Sequence, residues 1–145
     1  MHVQVKWLLT IKRMAEISLG VYHGRALQLA NAMELCHDDM TGYSAAVGLL
    51  AVHSAISYND AVQIKLTGRR TKSEYHSRAI RATEAACQNA RIGLRGVKHL
   101  EKLLSAKTDV SYGDERVDNR RVEFLYQSAR AFRAWAEGIL GVRVW

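Results

Sequence analysis

Proline is missing from all 145 residues. Average usage near 5% would supply about seven, so no stretch of this chain is barred from helix. Cysteine is scarce: Cys36 and Cys87 stand alone, without metal-ligand spacing, which reads as two reduced thiols of a cytoplasmic protein. No run approaches the roughly 20 apolar residues of a membrane span. The opening "MHVQVKWLLTIKRM" has too short an apolar run, broken by Lys6, for a signal peptide. Acidic residues are also in deficit, 14 against 21 Lys and Arg, for a net charge of +7.

What is present favours one domain and one class. Alanine, leucine and arginine abound, all strong helix formers, and 145 residues suffice for a single core. The charge is unevenly placed. Residues 20–64 hold Arg25 against Glu34, Asp38, Asp39 and Asp60. Residues 65–98 hold nine basic side chains against Glu74 and Glu84. Arginine outnumbers lysine fourteen to seven, and its fork suits phosphate oxygens. An anionic partner, RNA or a nucleotide, fits that surface; a merely solvated basic face is the alternative.

Periodicity sketches the organisation. Val3, Val5, Trp7, Leu9 and Ile11 alternate with Gln4, Lys6, Leu8, Thr10 and Lys12, as in a strand, although Val5, Leu8 and Leu9 also suit a helix. "GVRVW" at the C-terminus alternates too. Residues 1–20 are therefore expected to form an N-terminal extension or to pair with that end as a ribbon. A helical domain over 21–141 follows. Its first helix fits Val21–Asp39, with Ala26, Leu29, Met33 and Cys36 or His37 on one stripe. "TGY" reads as a break, and a second helix runs from about Ser44 to Leu66, stopped at Gly68. "TKSE" at 71–74 matches a capping box for a third helix reaching Ala90, with His76, Ile80, Thr83 and Cys87 facing inward. A shorter helix buries Val97, Leu100, Leu103 and Leu104, and "TDVSYGD" reads as a loop. Asp118 or Asn119 caps a last helix whose Val122, Leu125, Ala129, Phe132, Ala136 and Ile139 keep three-and-four spacing. The expected fold is all-α: an antiparallel four-helix bundle with one additional short helix.

"LLAVHSAISYNDAVQI", residues 49–64, sets His53 and Asp60 among apolar neighbours. At about 100° per residue both lie near the centre of the apolar stripe. Burying either unpaired costs roughly 2–7 kcal/mol, so each calls for a partner. Asp60 lies one to two turns from the loop that bears Arg69 and Arg70, so a forked ion pair is expected there. His53 suits a backbone carbonyl or a nearby hydroxyl. Both groups also suit a purely structural network that sets helix register.

"GRRTKSEYH" places two guanidiniums just before a helix whose second turn presents His76. Phosphate chemistry can use each part: a helix N-terminus favours anions, arginine neutralises developing charge, and histidine carries protons near neutral pH. Chance alone supplies about 1.7 pairs of this spacing in such a composition. The chain has two, both ending at His76, so the context carries the weight and the spacing does not.

At these residues the chain resembles a known family. "AVGLLAVHSAISYNDAVQIKLTGRRTKSEYH", then "LEKLLSAKTDVSY" and an aromatic amphipathic last helix, is similar to the HEPN (higher eukaryotes and prokaryotes nucleotide-binding) superfamily over roughly residues 21–140. The resemblance implies a helical bundle, commonly dimeric. It further implies a metal-independent RNase with an Arg-x(4–6)-His motif at a dimer cleft and no cofactor. Carried over, the arginine is Arg70 or Arg69, the histidine His76, and Asp60 the supporting polar residue, with His53 beside it. The family's motif usually falls late in the domain, whereas here it lies between the second and third helices. Family members without a well-placed motif serve as non-catalytic modules, some pairing with a nucleotidyltransferase-like partner in toxin–antitoxin systems. That is the alternative function.

Two further expectations complete the reading. Glu34-x-x-His37 is half of a di-iron ligand pattern, which needs a second copy that the chain lacks. Tyr126, Phe132 and Trp135 are more than one stripe of a small bundle is expected to bury, which points to a homodimer.

Overall fold

A computed structural model describes residues 2–72 and 75–141. They form α1 (His2–His37), α2 (Met40–Thr67), α3 (His76–Asn89), α4 (Val97–Ser105), α5 (Lys107–Tyr112) and α6 (Asn119–Leu140). None of the described residues is in a strand. The chain is an all-α helical bundle, as its composition indicates.

α2 is the axis of this bundle. Its buried residues, from Val47 and Ala51 to Gln63 and Ile64, point in every direction around the helix. α1, α6, α3, α4 and α5 all pack against it. Small side chains make that possible: Ala51, Ser54, Ala55, Ser57 and Ala61 let neighbouring backbones close in. A Cβ on Gly48 would meet Val110 at 3.4 Å. Around this axis Met33, Leu100, Leu103, Leu125 and Phe132 are essentially inaccessible, each burial stabilising by roughly 1.5–3 kcal/mol.

α1 and α2 form an antiparallel hairpin about the turn at Asp38–Asp39, where the Asp39 carboxylate accepts from Gly42 N at 3.4 Å. "TGY" forms a short helical turn that precedes the main run of α2, and Tyr43 leaves helical geometry (φ −131°, ψ 22°), so a kink stands at the expected break. α6 runs antiparallel to α1, joined to it by polar bridges. His37 Nε2 meets Glu123 Oε2 at 2.7 Å, and His23 Nε2 meets Glu137 Oε1 at 2.7 Å. Gly68 ends α2 in the left-handed region (φ 83°), its N–H donating to Ile64 O. Asp118 caps α6 by accepting from Arg121 N at 2.8 Å.

Four expectations need correction. Residues 2–20 are helical and not a strand. α1 runs through the expected boundary at 20/21, because no proline interrupts it and the alternating row also satisfies a helical repeat. The other half of the proposed ribbon, 142–145, lies outside the described residues. "TDVSYGD" is helical as far as Tyr112, with Val110 packed on the core. The third helix begins at His76, with Tyr75 as its N-cap and no side-chain cap bond. Thr71 lies too far before His76 to cap it; its N–H donates to Gln63 Oε1 at 2.7 Å, which keeps that segment against α2, and Ser73 and Glu74 lie outside the described residues. Finally, the α6 aromatics do not demand a second copy. Tyr126 and Phe132 are buried, Tyr126 stacking on His37 and donating to Glu34. Trp135 lies over Gly96 and donates to Gly93 O at 3.3 Å. Neighbours on both sides of α6 absorb what one stripe could not.

Candidate functional site

His53 and Asp60 lie on α2, but not where the helical wheel alone puts them. Because α2 is packed nearly all round, its line of least burial runs through Leu49, His53, Ile56 and Asp60. Both polar groups are half-buried in grooves between helices. Asn59, Gln63 and Thr83 are among the buried polar groups of the region. They bond one another: Thr83 Oγ1 donates to Asn59 Oδ1 at 2.5 Å, and Gln63 Nε2 donates to Thr83 Oγ1 at 2.9 Å and Ala79 O at 3.2 Å. With its Oε1 on Thr71, Gln63 ties α2, α3 and the basic loop together. This network fixes where the loop runs.

The loop closes one side of a cavity of about 100 Å³. Asp60 and Asn59 enter its wall from α2, Arg70 and Thr71 from the loop, Tyr75 and His76 from the start of α3, and Lys107 from α5, with Ile56, Ala79 and Leu104 as apolar lining. Three expected site residues, Asp60, Arg70 and His76, therefore meet at one place. His76 is the first residue of α3, not part of a second turn, so the positive end of the helix dipole lies at the cavity. Arg69 is not in the wall. It lines a shallow neighbouring groove of about 520 Å³ with Thr67, Lys72 and Ala82, which shares Gln63's surroundings and the residues Arg70 and Thr71.

Asp60 makes no ion pair among the described residues, so the expected forked bridge to Arg70 is not formed. The Arg70 guanidinium instead lies 5.0 Å from the Tyr22 ring centroid, and Arg25 lies 5.1 Å from the same ring. Burial pushes the Asp60 carboxyl up to about 6, while Arg70 and Arg25 pull it down less strongly. His53 is outside the cavity. Its Nε2 lies 3.5 Å from Ser111 Oγ, the outer limit of a hydrogen bond, and burial with the nearby Lys107 lowers its pKa. Neutral imidazole is its form near pH 7.

Sequence reasoning missed Lys107, Tyr75, Tyr22 and the Asn59–Gln63–Thr83 network. Asn59 and Gln63 at i and i+4 were a usable signal; nothing local marked Lys107, which arrives from a different helix. A second groove, about 480 Å³ between the start of α2 and the 113–117 segment, holds Asp109, Glu115 and one arginine, Arg116. It gathers no comparable set of proton carriers and cations. Glu34 and His37 are taken up by Tyr126, Arg130 and Glu123. Among the described residues no three His, Cys, Asp or Glu group as a metal site, and no helix is long and apolar enough to cross a membrane.

In comparisons with family models, curated proteins and solved structures, nothing matches this chain.

Proposed function

We propose that this chain is a HEPN-like RNA-binding protein that cleaves RNA without a metal, using Arg70 and His76. The observation that carries the reading is the shared cavity: a guanidinium, an imidazole at a helix N-terminus, an ammonium and one carboxylate within a single small wall. Arg70 and Lys107 suit a phosphate, and His76 a proton. The reaction is transesterification. The ribose 2′-oxygen attacks phosphorus as its proton leaves, the bond to the 5′-oxygen breaks, and that oxygen takes up a proton. A 2′,3′-cyclic phosphate and a 5′-hydroxyl result. His76 serves one of the two proton transfers; Arg70 faces the charge on the phosphorane-like oxygens. Arg69, on the adjoining groove, positions the next part of the strand.

Labelled RNA incubated with excess chelator tests this. Cleavage should persist with chelator, leave cyclic phosphate ends and spare DNA, which lacks the 2′-hydroxyl. His76→Ala should abolish it with helical content unchanged. Arg70→Lys should lose most of it, since an ammonium cannot make forked contacts. Undiminished cleavage by His76→Ala would reassign the chemistry. A second reading, a non-catalytic module pairing with a nucleotidyltransferase-like protein, is favoured by one observation: Arg70 rests over Tyr22 and not against Asp60. Wild-type protein inert on structured and unstructured RNAs alike would support it.

A further inference from the structure

The outer face of α1 is the largest feature that the candidate site leaves unused. Every residue from 3 to 14 is exposed. Val3 is 81% exposed, Trp7 and Met14 65%, Ile17 63% and Val21 53%. Scattered apolar residues on a surface are ordinary; a contiguous row of them marks an interface.

The row has a definite period. Val3, Trp7, Thr10, Met14, Ile17 and Val21 follow at alternating steps of four and three, a 3.5-residue repeat. Trp7, Met14 and Val21 take the a positions of a heptad, and Val3, Thr10 and Ile17 the d positions. This is the seam of a helix that packs on another helix. Val5, Leu8 and Leu9, 55%, 64% and 62% exposed, lie on the far side of α1, outside this seam.

We infer that the stripe is a self-association surface along which two copies of this chain pair α1 to α1, in parallel. Area supports a second copy. At roughly 60–120 Å² per aliphatic side chain and 150–250 Å² for tryptophan, the row offers on the order of 500 Å². With the stems of the flanking residues it approaches the roughly 800 Å² per partner of a stable interface. Charge decides the direction. Lys6 and Arg13 occupy g positions, Ile11 and Ser18 e positions. A parallel pair sets each g against the e of the next heptad, so Lys6 meets the second copy's Ile11 and Arg13 its Ser18. An antiparallel pair sets g against g and brings Arg13 onto a like charge. Beyond Val21 the same outward row stays exposed at Gln28, Asn31 and Leu35, so the rest of the bundle leaves the parallel arrangement open.

This inference is independent of RNA chemistry and differs from the α6 argument for a dimer. Sedimentation of the full chain at micromolar concentrations should show a dimer. Met14→Glu with Ile17→Glu places like charges in two layers and should halve the apparent mass, with far-UV helical signal retained. Glutamate is a good helix former and both sites are exposed, so folding is spared. In a background with Cys36→Ser and Cys87→Ala, Thr10→Cys should cross-link to itself on oxidation. A monomeric wild type would overturn the proposal, as would a dimer that survives the double glutamate variant. Monomers that bind vesicles of anionic phospholipid would assign the stripe to a membrane. Cross-linking only between Thr10→Cys and Met14→Cys protein would make the pair antiparallel and refute the stated arrangement.

Discussion

Burial pushes the Asp60 carboxyl up to about 6 although Arg70 and Arg25 both favour its charged form, so at this residue desolvation outweighs two cations that stop short of an ion pair. The consequence for stability has a definite sign. The folded state holds the Asp60 proton more tightly than the unfolded chain, whose value is near 3.9. The contribution is therefore fully present below about pH 4 and is lost as pH rises through about 6. Asp60→Asn removes the penalty. Chemical denaturation should find that variant more stable than wild type above neutral pH by about 1–2 kcal/mol, after allowing for solvent screening at a half-buried group. The gap should shrink toward zero near pH 4. A gap independent of pH would mean that the carboxyl is not held in this way. The pairing expected from sequence failed here for a geometric reason. The loop after α2 brings Arg70 back toward Asp60, but its guanidinium rests over the Tyr22 ring of α1, and no pattern within 49–76 announces an aromatic 48 residues earlier.

Elements show the opposite balance. The inner stripes of α4 and α6 were legible residue by residue, since Val97, Leu100, Leu103 and Leu104, and Val122, Leu125, Ala129, Phe132, Ala136 and Ile139, are all buried. A helix packed along one side keeps its period visible. α2 hid its own geometry because it is buried on nearly every side, and its least covered line was read as its most covered. Where elements meet, Gly96 is the tightest constraint. A Cβ there would sit 2.1 Å from Trp135 Cδ2, inside the ring that also packs on Phe132 with centroids 5.5 Å apart. Gly96→Ala should cost about 1–3 kcal/mol, read as a lower urea midpoint at unchanged slope. With Trp135→Leu the two costs should fall short of additive, because the smaller side chain relieves the clash. Full additivity would show that the ring is not what excludes the methyl group.

At the scale of the whole molecule, stability should be graded outward from α2. Its amides between Val47 and Ile64 lie behind five neighbouring helices, so hydrogen exchange there should require global unfolding. Amides before Ala15 belong to a fully exposed stretch of α1. An isolated helix of that length is marginal in water, and those amides should exchange fastest in dilute protein, gaining protection as concentration rises if two copies pair there. Uniform protection along α1 in dilute monomer would contradict this grading. By itself the sequence determined the helical class, the cap at Gly68, a cap at Asp118 or Asn119 and the buried stripes of α4 and α6. These are set by propensity, backbone freedom and side-chain period, all of which act within a few residues. Only the tertiary structure decided that α1 runs unbroken past residue 20, that α2 is enclosed, and that Lys107 joins Asp60, Arg70 and His76 around one cavity. Each of those depends on which side chains from distant segments arrive at the same place, and packing chooses them by shape and by polar partners that local sequence does not contain.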